Sequence, residues 1–391
     1  MTDRLSVRKL TLTGFRNYGL ASAWFASDPV VLTGPNGAGK TNCLEAISLL
    51  TAGRGLRGVP FPELVGHGAN GWAVAAEIDG PDGEMQVGTG LQPDANGVVS
   101  PRAGRTVRID GRSAKSSASL AVNRILWLTP AMDGLFTGPA GDRRRFLDRF
   151  VLSLDPDYAA PAAVYERAMR QRNKALETDA PQSFIAGLEL QMADAAIAMA
   201  AARVTGFDAL ARTIEEERDT ESPFPWAVVT LEGTVEASLR NLGHEAAQGA
   251  FLRDLIASRE RDRAAGRTLL GPHRSDFAVR HGPKDMPAKL CSTGEQKALL
   301  LGLILAQARL VKAQAAGAAP LVLLDEVAAH LDIDRRRGLF QSVAALQAQV
   351  WMTGTDDAAF QPFKDFANPQ FFHVSHGTIR PRAGAESQAN A

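Results

Sequence analysis

The sequence predicts an α/β protein: a phosphate-binding head on a parallel sheet, added antiparallel strands, and a mainly helical second lobe. A short apolar strand, Pro29–Thr33, runs into Gly34-Pro35-Asn36-Gly37-Ala38-Gly39-Lys40-Thr41 and then into a helix. Far downstream a second apolar strand, Leu321–Leu324, ends in the paired acids Asp325 and Glu326. Between the two lies a long stretch of helix formers.

In chain order, Leu5–Thr13 alternates as a half-buried strand does, and Pro29–Thr33 reads as a short buried one. The helix opening at Lys40 runs to about Leu50, with Cys43, Leu44, Ile47 and Leu50 at helical spacing. Strand-like segments follow at Trp72–Ile78, Met85–Gly88, Thr106–Ile109 and Ile125–Leu128, with Asp79-Gly80 and Asp110-Gly111 as hairpin signals. These predict an antiparallel sheet beside the phosphate-binding core and make residues 1–155 the N-terminal part of the head.

Over 156–265, Tyr158–Thr178 and Phe184–Glu217 read as long helices. Trp226–Leu231 is strand-like after Pro223 and Pro225, and Glu236–Asp262 returns to helix. This segment is either an ordinary helical lobe or a short antiparallel arm. The head resumes over 266–380 with a strand at Phe277–Arg280, a helix from near Gly294 and the strand Leu321–Leu324. A helix from Arg335 to about Leu346 and a strand at Gln349–Thr353 complete it. The Ala/Gly/Ser-rich tail, 381–391, reads as disordered.

The 391 residues exceed one ordinary domain, and their 45% hydrophobic content suits a packed protein. Basic and acidic residues balance at 43 each, so any anion-binding surface must come from local clusters. The two cysteines have no metal-ligand spacing, which points to a reducing compartment. No apolar stretch is expected to approach the ~18–20 residues a bilayer span needs; the longest candidate, Ala298–Ala306, stops at Gln307. The N-terminus alternates instead of forming a signal core. The expectation is a cytoplasmic protein with no membrane partner.

The chemistry concentrates in the glycine loop. Gly34, Gly37 and Gly39 let successive backbone N–H groups turn toward phosphate oxygens, with Pro35, Asn36 and Ala38 completing the loop and Asn42 following it. Lys40 supplies a cation for the β- and γ-phosphates, and the Thr41 hydroxyl suits Mg²⁺. The following helix points its positive end at the same anion, so ATP or GTP is the expected ligand. At the tip of a buried strand, Asp325 is placed to hold the metal and Glu326 to act as general base on water.

Ser292-Thr293-Gly294-Glu295-Gln296-Lys297 is by itself a capping-box helix start. Lying behind GPNGAGKT and ahead of VLLDE, it resembles the signature of ABC-type ATPases. In that class the phosphate loop of one subunit faces the signature serine and glycine of another. Gly14-Phe15-Arg16-Asn17-Tyr18, DRRRFLDR at 142–149, YERAMRQRNKAL at 165–176 and RTLLGPHRSD at 267–276 narrow the resemblance. Together with LLDEVAAHLD, which starts at Leu323, they are similar to the RecF family, SMC-like ATPases without a long coiled coil.

The resemblance implies an ABC-type head, an ATP-dependent homodimer on DNA and a weak, DNA-stimulated ATPase with ATP and Mg²⁺ as cofactors. It further implies action at single-strand gaps in duplex DNA, with RecO and RecR as partners that promote RecA loading. Catalytic roles would fall to Lys40 and Glu326, metal binding to Thr41 and Asp325, and nucleotide contacts to Gly34 through Asn42, Ser292 and Gly294. The dimer interface would take Ser292, Thr293, Gly294, Glu295 and Asp332. Departures from the family pattern are GRGLRG at 53–58, Ser275, Thr293 and Glu295. No switch histidine follows the Gln349–Thr353 strand, where Thr355 and Asp356 stand.

Basic residues cluster over Arg102–Arg112, including Arg105, at Arg143, Arg144, Arg145 and Arg149, and at Arg335–Arg337. Each is either a solvated face or part of a backbone-directed DNA groove that a dimer would double, with Arg105, Arg112, Arg143, Arg144 and Arg145 as the candidate DNA contacts. Arg16 and Asn17 could serve ATP or DNA. His273 and Arg274 either shape a Gly-Pro turn or act in function. A transporter motor would need membrane partners, and no carboxylate/histidine constellation supports a nuclease. The remaining alternative is a DNA-independent structural or protein-remodelling switch of the same ATPase class.

Overall fold

The computed structural model describes residues 4–81, 83–93, 99–100, 103–114, 124–218, 224–315, 318–328 and 331–382. The predicted disordered tail lies outside the described residues from 383 on, while Pro381 closes the last strand. The chain divides into two compact units, residues 1–133, 220–224 and 297–391 in one, and 134–219 and 225–296 in the other.

The first unit opens with an antiparallel meander. β1 (Ser6–Phe15) and β2 (Tyr18–Trp24) form a hairpin, and β3 (Val30–Thr33) leads to α1 (Lys40–Ser48). β4 (Trp72–Gly80), β5 (Gly83–Leu91), β6 (Thr106–Ile109) and β7 (Arg112–Ala114) extend the sheet in the order β2-β1-β4-β5-β6-β7. Asp110 and Gly111 turn β6 into β7, both with positive φ as a tight hairpin demands. The other expected turn shifts: Gly80 is still paired, opposite Gly83, so the chain reverses after it and not at Asp79-Gly80.

β8 (Ile125–Leu128) does not join the antiparallel sheet the sequence suggested for it. All four of its residues are buried, and it pairs in parallel with a strand almost two hundred positions later.

The second unit contains α2 (Ala140–Leu154), α3 (Ala159–Glu177), α4 (Gln182–Glu216), β9 (Ala227–Glu232), α5 (Thr234–Leu242), α6 (His244–Ala257) and α7 (Arg259–Ala265). β10 (Asp276–His281) and β11 (Met286–Pro287) complete a three-stranded sheet with β9. The helix expected over Glu236–Asp262 is thus three helices, broken at Gly243, which has φ +78°, and at Ser258. The division expected at 155/156 and 265/266 falls at 133/134 and 296/297. The cause is a shared aromatic core: Phe146 and Phe150 of α2 pack on Phe207 of α4 and Phe277 of β10.

By length and composition α4 could cross a membrane, the one helix among the described residues that could, which corrects the expectation that no apolar stretch approaches that length. In the fold, Met192, Ala193, Ala196 and Ala200 on its apolar face are buried.

α8 (Thr293–Gln314) follows, its residues from Lys297 on belonging to the first unit. β12 (Leu321–Leu324), α9 (Ile333–Ala345), β13 (Val350–Gly354), β14 (Gln370–Ser375) and β15 (Thr378–Pro381) close the chain. The second sheet of the first unit runs β15-β14-β3-β13-β12-β8, parallel except for the β14–β15 hairpin. β3 and β12 therefore flank β13, and their C-terminal ends share one edge of the sheet, where ligands of open parallel sheets bind.

Candidate nucleotide-binding site

The loop after β3 needs its glycines. Gly34, Gly37 and Gly39 have φ of +149°, +78° and +116°, a region that strains any residue with a Cβ. A Cβ on Gly34 would lie 2.2 Å from the Val374 carbonyl oxygen, and one on Gly39 would lie 2.5 Å from Asn17 Nδ2 and 3.0 Å from the Tyr18 hydroxyl. Asn17 and Tyr18 are the residues that brace the loop from outside: Asn17 Nδ2 donates to the Ala38 carbonyl at 2.9 Å, and Tyr18 donates to that of Gly39 at 2.9 Å.

Asn42 Nδ2 extends the brace to Asn17 Oδ1 at 2.7 Å. Arg57, from the divergent GRGLRG stretch, donates to Asn42 at 2.7 Å and to Glu45 at 2.8 Å. Arg16 grips the same buried Glu45 through two hydrogen bonds. Arg16 and Asn17 are thus occupied with shaping the loop. Gly39→Ala is expected to weaken nucleotide binding by about tenfold or more, since a left-handed conformation costs an L-residue roughly 1–2 kcal/mol before any clash. Titration with a fluorescent ATP analogue checks this; wild-type affinity would count against the loop as the binding element.

Lys40 folds back over the loop, its ammonium donating to the carbonyls of Gly34 at 2.7 Å and Pro35 at 2.9 Å. Burial lowers its pKa, and the carboxylates of Glu326 and Asp325 oppose that shift. Thr41 Oγ1 lies 3.0 and 2.9 Å from the two oxygens of Asp325, so residues 284 positions apart meet at one point. Asp325 is buried, which raises its pKa, while hydrogen bonds from Thr353 and Thr41 work against the rise. Glu326 beside it is exposed and has φ +49°.

Sequence reasoning missed Thr353, at the end of the intervening β13. Its hydroxyl donates to Asp325 Oδ1 at 2.7 Å and accepts from the Glu326 amide at 2.8 Å. Lys297 was also missed; its ammonium donates to the Glu326 carbonyl at 3.2 Å. Lys297 ends the signature-like stretch without a role of its own there, and Thr353 ends a strand, so only their place in space marks them. One carboxylate and one hydroxyl suit Mg²⁺, which takes few protein ligands and leaves its other positions to water and phosphate. Among the described residues no group of three or more His, Cys, Asp or Glu could hold a metal alone.

In the second unit, Ser292 and Glu295 form a reciprocal cap at the start of α8. Glu295 Oε2 accepts from the Ser292 amide and hydroxyl at 3.0 Å each, and Ser292 Oγ accepts from the Glu295 amide at 3.4 Å. Lys284 also pairs with Glu295, and these partners hold its carboxyl down to about 2. Ser292 and Thr293 are exposed, and Gly294 is half-buried. Asp332, the expected interface acid, caps α9 by accepting from the Arg335 amide at 2.8 Å.

The arginine clusters divide. Arg105 was expected to face DNA, but it donates to the Leu49 and Thr51 carbonyls, and burial lowers its pKa to about 10. Arg143 is likewise turned inward, making a two-pronged pair with Asp276 at 2.8 Å and bonding the Leu135 and Gly138 carbonyls. A guanidinium used this way cannot also grip phosphate. Arg112 and Arg145 are exposed, the latter paired with Asp142, and Arg144 is half-buried beside the Ser275 carbonyl. His273 pins its turn: Nε2 donates to the Thr268 carbonyl at 3.0 Å, and Nδ1 faces the Tyr165 hydroxyl at 2.8 Å.

The RecF/RecN/SMC N-terminal domain matches residues 6–368. The DNA replication and repair protein RecF of Mesorhizobium japonicum is 49% identical over 389 residues, covering 98% of this chain and all of that one. The chain belongs to the RecF family. RecF-family architecture appears equally in the fold: a solved structure of the recombination mediator protein RecF-ATPrS in the RecFOR pathway superposes with a TM-score of 0.83 at 20% identity. That match covers 97% of this chain and 99% of the other. The Smc head domain of Pyrococcus furiosus with an extended coiled coil, bound to the C-terminal domain of ScpA, matches with a TM-score of 0.54 at 16% identity. It covers 97% of this chain and 96% of that one. The ABC-type α/β head expected from the motifs is therefore the fold this RecF-family chain adopts.

Proposed function

We propose that this chain is an ATP-dependent, DNA-binding recombination mediator that dimerises on ATP. It acts at single-strand gaps and promotes RecA loading with RecO and RecR, hydrolysing ATP slowly, with DNA stimulating the reaction. The observation that carries the proposal is the meeting of Thr41 and Asp325 beside the exposed Glu326, at the mouth of a glycine loop. Support comes from the full-length relatives named as DNA replication and repair protein RecF and from fold neighbours described with ATPrS and ATP in the RecFOR pathway.

In this reading the loop amides from Gly34 to Thr41 receive the phosphates, and Lys40 exchanges the Gly34 and Pro35 carbonyls for β/γ-phosphate oxygens. Thr41 and Asp325 hold Mg²⁺, which when bound offsets phosphate charge. Glu326 accepts the proton of the attacking water. The partner subunit's Ser292 and Gly294 complete the site, with Asp332 and Glu295 near the contact. DNA binding falls to the exposed Arg112 and Arg145 and the half-buried Arg144 acting on the phosphate backbone. The protein would work in the cytoplasm on the nucleoid.

The test is fluorescence anisotropy of labelled gapped duplex DNA titrated with the Glu326→Gln protein in ATP and in ADP. Tighter binding in ATP is expected, with steep salt dependence, and Ser292→Arg should remove the ATP gain. Equal binding in both nucleotides would sink the ATP-switched reading. Absence of binding in both would favour a DNA-independent protein-remodelling switch.

A further inference from the structure

Glu326 occupies a left-handed backbone conformation, φ +49°, that a non-glycine residue keeps only where its surroundings enforce it. Both of its backbone polar groups are held. The amide donates to Thr353 Oγ1 at 2.8 Å, and the carbonyl accepts from Lys297 Nζ at 3.2 Å. The carboxylate itself stays exposed.

The Thr353 hydroxyl has a single proton, and it goes to Asp325 Oδ1 at 2.7 Å. Polarity therefore runs one way, from the Glu326 amide through Thr353 to the Asp325 carboxylate. Thr353 is fully buried at the end of β13, between the strands that carry the phosphate loop and the acid pair. Asp325 also accepts from Thr41, so one carboxylate joins the loop, β13 and the peptide of Glu326.

We infer that Thr353 is a positioning residue for hydrolysis: with Lys297 it clamps the Glu326 peptide in the left-handed conformation that sets the base, and it ties that peptide to the metal-binding Asp325. A threonine serving only to fill space at the end of β13 would need no hydroxyl. This one is used twice, once as donor and once as acceptor. The inference rests on the reading of Glu326 as general base.

The experiment compares steady-state ATP hydrolysis and equilibrium ATP binding for wild type, Thr353→Val, Thr353→Ser, Lys297→Met and Glu326→Gln. Valine keeps the shape and loses both hydrogen bonds, whereas serine keeps the hydroxyl. Thr353→Val should lower kcat by about 10–100-fold, the usual effect of a small misplacement of a reacting group, with ATP affinity held within about 2-fold. Serine should restore most of the rate, and Lys297→Met should shift kcat in the same direction as valine.

A Thr353→Val protein hydrolysing within about 2-fold of wild type would overturn the inference. So would equal losses in the valine and serine variants, or a fall in ATP affinity matching the fall in kcat. Glu326→Gln turning over as fast as wild type would instead remove Glu326 as the base, a failure of the underlying reading that the other variants do not produce.

Discussion

Replacing Glu326 with glutamine is expected to slow ATP hydrolysis by about 10²–10⁴-fold, the usual worth of a general base. Glutamine preserves the size and polarity of the side chain and removes its ability to accept a proton from water. The loop, Lys40, Thr41 and Asp325 are untouched, and the backbone bonds of residue 326 to Thr353 and Lys297 do not involve the side chain. ATP binding should therefore persist, and single-turnover phosphate release beside a binding titration separates the two. Wild-type turnover in the variant would refute the assignment. Asp325→Asn should behave differently, weakening metal-dependent nucleotide binding, because Asp325 lies against Thr41 and is buried.

Arg172→Met is expected to destabilise the second unit by about 3–5 kcal/mol, the scale observed when one partner of a buried ion pair is removed. The Arg172 side chain is fully buried and spends its donors on Glu189 at 3.0 Å, Asp262 at 2.8 Å, the Thr268 hydroxyl at 3.0 Å and the Leu255 carbonyl at 2.7 Å. Methionine fills much of the volume but leaves the Asp262 carboxylate without its cation. Glu189 keeps Arg259 as a second partner, so its loss is smaller. Urea unfolding followed by circular dichroism should show a large drop in midpoint. An unchanged midpoint would mean that the network is neutral in net stability.

Arg172 also shows where sequence reading stops. In YERAMRQRNKAL it is one arginine of a charged amphipathic helix, and charge runs normally face water. Its carboxylate partners stand 17 and 90 positions away, so nothing local marks it as buried. Arg203 is the same case, fully buried in an alanine-rich helix and paired with Asp148 and Glu236. Arg105 and Arg143, expected to face DNA, bond carbonyls and a carboxylate within the protein for the same reason. A guanidinium's partner is a fact of tertiary packing.

What the sequence by itself determined is the chemistry carried by consecutive residues. A phosphate loop is built from the backbone of neighbouring glycines and the lysine that follows them, so GPNGAGKT between a buried strand and a helix points to phosphate binding from local sequence. A buried strand ending in two acids is similarly local, and so is the serine–glutamate cap of α8. The order of these segments was enough to indicate the ABC-type head. Only the tertiary structure decided that β8 is a parallel strand, that the shared phenylalanine core draws α2 into the second unit, and that Thr353 and Lys297 hold the peptide of Glu326. Strand neighbours and side-chain partners are chosen by burial and pairing across long stretches of chain, and no spacing of residue types along the sequence records that choice.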